Sequence, residues 1–111
     1  MSLEGKNVVI IGGTSGIGLA TAVMAQHAGA KVWAASRTED KISQATALHP
    51  GITFSQVETH DPDGLKALFA SVGHIDHLVG AATGATRTMA PFMDQTDDQF
   101  RAAFDKFWGY T

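Results

Sequence analysis

Residues 8–18 read V-V-I-I-G-G-T-S-G-I-G, and no other stretch of the chain restricts its fold as much. Val8, Val9, Ile10 and Ile11 form an unbroken apolar run, which suits a strand buried on both faces, as in a parallel sheet. A turn carrying Gly12, Gly16 and Gly18 follows at once, and residues 19–28 then read as a helix rich in Ala, Val and Met. Glycine permits positive φ and lets backbone N–H groups come close to a ligand. The helix start adds unpaired donors and partial positive charge, the combination that holds a pyrophosphate. Strand, glycine-rich turn and helix together predict a dinucleotide-binding unit. Its candidate cofactor contacts are Gly12, Thr14, Ser15, Gly16, Ile17 and Gly18.

A chain of 111 residues, 44% hydrophobic, has room for one globular unit. The net charge of −3 is dispersed, with neither a basic stripe for nucleic acid nor a charge block typical of a tail. Cysteine is absent, which excludes a disulfide framework and thiol chemistry and is compatible with a reducing compartment. The opening M-S-L-E-G-K has no apolar core of a signal peptide, and no apolar run has the length of a membrane span. These features predict a cytoplasmic protein with no nucleic-acid or membrane partner.

Strand and helix patterns alternate along the chain. Residues 7–12 read as a strand, 16–28 as a helix with Gly29 just past its end, and 31–36 as a second strand. Thr38 can cap a helix through Leu48, which stops before Pro50. Residues 52–59 alternate with period two, as a strand nearer a sheet edge does. Asp61-Pro62 is a strong start for a third helix through Val72, with Asp as cap and Pro at the first helical position. Residues 76–82 make a fourth strand and 83–95 a loop. Thr96-Asp97-Asp98-Gln99 matches a capping box, and Phe100, Ala103, Phe104, Phe107 and Trp108 form one apolar face of a fourth helix. Alternation of this kind predicts an α/β fold with a parallel sheet and right-handed crossovers.

The end of the second strand bears on cofactor choice. An acidic residue there accepts the ribose hydroxyls of NAD, whereas an arginine accommodates the 2′-phosphate of NADP. This chain has Ser36-Arg37-Thr38. A guanidinium can pair with phosphate bidentately, and either hydroxyl can add a bond, so Ser36, Arg37 and Thr38 favour NADP over NAD. The five histidines, His27, His49, His60, His74 and His77, have no third ligand at metal-site spacing and read as surface or capping residues, so no metal site is expected.

The glycine spacing, Gly12-x-x-x-Gly16-x-Gly18, resembles the T-G-x-x-x-G-x-G motif of the short-chain dehydrogenase/reductase family, with Ile11 in place of the leading Thr. The resemblance covers nearly all of the chain. It implies a Rossmann-like, doubly wound sheet with strand order 3-2-1-4, and a nicotinamide dinucleotide at the switch point between the first and fourth strands. It gives Asp61 a contact with the adenine amine, a role the residue can share with capping. It aligns Val79-Gly80-Ala81-Ala82-Thr83 with the family's N-N-A-G stretch: Ala82 matches, and Gly80 and Ala81 replace the asparagines. The small Ala81 and Ala82 keep room beside the cofactor ribose. It places residues 84–92 at the mouth of the active site, and Lys106 where the family has its tetrad Asn. An ammonium cannot copy an amide's paired donor and acceptor, so Lys106 reads as a solvated helix residue, with the holding of a water as the alternative.

The family's general acid/base tyrosine lies in Y-x-x-x-K, with a serine upstream. Tyr110 is followed only by Thr111 and cannot begin that motif. The resemblance therefore implies a single cofactor-binding domain over residues 1–111, cut before the catalytic segment and inactive alone. In the complete enzyme it implies hydride transfer between nicotinamide and an alcohol or carbonyl substrate, and a homo-oligomer. The competing reading is a non-catalytic dinucleotide-binding module or sensor.

Overall fold

The structure, a computed structural model, describes residues 2–82, 93, 96–98 and 101. Four strands, β1 (Asn7–Ile11), β2 (Lys31–Ser36), β3 (Thr53–Gln56) and β4 (His77–Gly80), alternate with three helices, α1 (Gly16–His27), α2 (Glu39–Leu48) and α3 (Pro62–Val72). All strand pairs are parallel, and the order β3-β2-β1-β4 is the one expected.

β1 is central because both of its faces are apolar. Val8 and Ile10 point to one side and join Ala22 and Ala25 of α1 with Val32, Ala34 and Ile52. Val9 and Ile11 point to the other and join Leu65 and Leu68 of α3 with Ala35. Ile10 and Val9 are fully buried, each contributing about 1.5–3 kcal/mol of transfer free energy. Ala22, Ala25 and Gly18 make the buried side of α1, so this helix sits close to the sheet. Gln26 of α1 touches Gly51 in the turn after α2, which puts these two helices on one face and α3 on the other.

β2 has the bounds its sequence pattern predicts, and the other three strands are shorter than theirs. β1 ends at Ile11 because Gly12 has φ +88°, although its N–H still reaches the Ala35 carbonyl at 2.8 Å. β3 covers Thr53–Gln56 rather than 52–59, since Ile52 N–H turns back to the His49 carbonyl and the chain bends again where Asp61 N–H meets the Glu58 carbonyl. β4 covers His77–Gly80 rather than 76–82; Asp76 and Ala81 donate the flanking bonds to the Asn7 and Ile11 carbonyls. Thr38 and Asp61 stand at the N-caps of α2 and α3 as expected, but neither side chain makes a cap hydrogen bond. Backbone contacts start these helices: Ile42 N–H to the Thr38 carbonyl, and Leu65 N–H to the Asp61 carbonyl.

At the edge where β1 begins, Asp76 accepts the Asn7 N–H at 2.8 Å and lies 3.0 Å from His74 Nε2, while Asn7 Nδ2 donates to the His74 carbonyl at 2.7 Å. The loop at 83–95, the fourth helix with Phe100, Ala103, Phe104, Phe107 and Trp108, and Lys106 lie outside the described residues, apart from Met93, Thr96, Asp97, Asp98 and Arg101. Asp97, Asp98 and Arg101 are helical.

Candidate dinucleotide-binding site

Parallel pairing brings all four strand exits to one edge: Ile11 is level with Ala35 and with Gly80, and Ser36 with Gln56. The neighbours β2 and β4 diverge from β1 in chain order, and that switch point is where open α/β sheets have a crevice. The glycine turn opens into it. A Cβ on Gly12 would stand 2.5 Å from the Ala82 nitrogen and 2.8 Å from the Ala81 carbonyl carbon, so the exit of β4 passes directly against the turn. A Cβ on Gly18 would strike the Gly12 carbonyl oxygen. These two glycines allow helix, turn and strand exit to meet without side chains between them.

Three features at the start of α1 suit an anion. Ser15 is the N-cap but makes no side-chain cap bond, and the first turn holds no acidic residue. The first amides of a helix have no intrahelical acceptor, so those of Gly16, Ile17 and Gly18 are left for a ligand. Thr14 is buried at 8% exposure, and its hydroxyl has no partner among the described residues. Among the described residues this leaves the Thr14 hydroxyl able to bond a ligand oxygen. Gly16 and Ile17 are exposed, with Ile17 83% accessible beside these amides. The turn thus fits the phosphates of a dinucleotide.

On the β2 side Ser36 and Thr38 are half-buried and Arg37 is exposed. The Ser36 hydroxyl accepts the Thr38 N–H at 3.3 Å and keeps its own proton to donate. No carboxylate pairs with the Arg37 guanidinium among the described residues. Asp61 lies beyond the turn that follows β3 rather than on the strand end; it is exposed, and its carboxylate rests over Gly64. The sequence offered no sign of Gln56, whose side chain donates to the Arg37 carbonyl at 3.1 Å from the neighbouring strand. It gave none of Gly13 either, where a Cβ would stand 2.6 Å from that of Ala34. Both depend on which strands are neighbours. Among the described residues no group of three or more His, Cys, Asp or Glu side chains is placed to hold a metal, and no helix is long and apolar enough to cross a membrane.

A parallel sheet with helices on both faces and a glycine turn at its switch point defines the class, a Rossmann-like nucleotide-binding fold. Residues 6–106 match the short chain dehydrogenase family, and the chain belongs to it. It is 31% identical over 105 residues to L-xylulose reductase of Mesocricetus auratus, covering 95% of this chain and 42% of the relative. It is 30% identical over 105 residues to the protein named carbonyl reductase (NADPH) 2 of Sus scrofa, with the same coverage of 95% and 42%. A solved short chain dehydrogenase/reductase family protein superposes with a TM-score of 0.81 at 34% identity, covering 98% of this chain and 46% of that one. The chain spans less than half the length of these relatives.

Proposed function

We propose that the chain is the cofactor-binding part of an NADP(H)-dependent short-chain oxidoreductase, with residues 1–111 forming one NAD(P)-binding domain. The observation that carries this reading is the unpaired Arg37 guanidinium at the exit of β2, on the same sheet edge as the Gly12–Gly18 turn. The name of the Sus scrofa relative, which includes NADPH, supports the same choice for this chain. Gly12, Gly16, Ile17 and Gly18 take the pyrophosphate by backbone approach and Thr14 adds its hydroxyl, with Ser15 at the helix cap. Ser36, Arg37 and Thr38 receive the 2′-phosphate, Asp61 borders the adenine, and Ala81 and Ala82 leave space for a ribose.

The bound nicotinamide supplies hydride chemistry between itself and an alcohol or carbonyl carbon. Residues 1–111 contain no Y-x-x-x-K, so on this reading the proton donor lies outside them and the chain alone does not turn over. Calorimetric titration of the chain tests cofactor choice. A charged hydrogen bond contributes about 1.5–3 kcal/mol, so NADPH should bind roughly ten- to a hundredfold tighter than NADH. Arg37→Asp should abolish or invert that preference. Equal affinities in the unmutated protein overturn the assignment.

A further inference from the structure

Arg37 is exposed, yet its backbone is held on both sides. The preceding peptide is tied to β3, because Val57 N–H donates to the Ser36 carbonyl at 2.9 Å. The following peptide is held at both ends: Gln56 Nε2 donates to the Arg37 carbonyl at 3.1 Å, and the Thr38 N–H donates to Ser36 Oγ at 3.3 Å. Two fixed peptide planes determine the φ and ψ of the residue between them, and hence the direction in which its side chain leaves the backbone. The guanidinium at the end of this side chain has no partner among the described residues.

We infer that Gln56 is a positioning residue for phosphate selectivity. It aims Arg37 from the neighbouring strand, so that the long side chain loses less freedom when it meets a 2′-phosphate. Two points separate this from simple support of the turn. Gln56 is exposed on β3, outside both core clusters, so the fold does not need its side chain for packing. Its bond also falls on the one carbonyl between Arg37 and the helix cap Thr38, a group that lies beyond the β2–β3 register. Bidentate pairing of an arginine depends on geometry, so a small loss of aim reduces phosphate affinity without touching the rest of the dinucleotide.

The inference rests on the reading of Arg37 as the phosphate ligand, and the test separates the two. NADPH and NADH are titrated into the chain and into Gln56→Leu, Arg37→Ala and the double variant, with circular dichroism as the check on folding. Gln56→Leu should weaken NADPH roughly two- to tenfold, the range of one hydrogen bond, and leave NADH unchanged. In the Arg37→Ala background it should have no further effect on NADPH. Gln56→Met, which keeps the length and loses the donor, should behave like Gln56→Leu and stands in for it if the leucine perturbs the fold. If Arg37→Ala removes the NADPH preference and the Gln56 variants keep it, Gln56 is only a turn brace. If Arg37→Ala leaves the preference intact, the phosphate assignment fails and the role of Gln56 fails with it.

Discussion

At Thr14 a role in the fold and the proposed role toward a ligand can be told apart. It is the one buried polar side chain among the described residues, and its hydroxyl is unpaired there. If the domain were optimised for stability alone, valine would serve better at this position, since removing an unsatisfied buried hydroxyl is neutral or favourable. Thr14→Val should therefore leave the melting temperature unchanged or raise it. The same substitution should weaken NADPH binding roughly two- to tenfold. Thermal melts and calorimetry on one preparation check both halves; a drop in melting temperature with unchanged affinity would assign the hydroxyl to the fold.

At the scale of elements, the start of β4 depends on a polar clamp. Asp76 receives the Asn7 N–H, lies against His74 and sits before the strand it leads into. The Asn7 hydrogen bond, aided by His74 and more weakly by the charge of Lys6, holds the Asp76 carboxyl below its ordinary value against the opposing effect of burial. The folded chain thus takes up this proton less readily than the unfolded chain. The clamp's contribution is complete above the ordinary carboxylate range near about 4 and is lost as pH falls through the lowered folded value. Asp76→Asn should lower the melting temperature near neutral pH, and the gap from the parent should close as the solution is acidified through that range. Parallel melts of both proteins from neutral to acid pH measure the gap, and a gap independent of pH would remove the carboxylate from the account. The helix starts teach a related lesson. Asp61-Pro62 marks the start of α3 correctly, yet the Asp61 side chain makes no cap bond. The proline's fixed φ and the backbone bond from Leu65 are sufficient, which leaves the carboxylate available to a ligand.

Over the whole molecule, β4 is the outer strand on its side of the sheet among the described residues, and Leu78 is 47% exposed there. An unpaired strand edge with an accessible leucine is an association site. The 111-residue chain should self-associate with rising concentration, and Leu78→Lys should weaken that association without changing cofactor affinity. Sedimentation velocity over a concentration series checks this, and a parent chain monomeric throughout would rule out the edge as the contact. The architecture itself was legible in the sequence. The apolar run 8–11, the glycine spacing and the alternating patterns are local chemistry, and they settle the element order, the buried first strand and the parallel sheet. The lengths of β3 and β4 were not legible, as that of β2 was, because a strand ends where its neighbour stops offering partners, as at Gln56 and Gly80. The contacts of Gln56 with Arg37 and of Gly12 with Ala82 join residues 19 and 70 positions apart. Local pattern cannot encode such pairs; they exist only because parallel strands bring their exits to one edge, and the tertiary structure alone decided them.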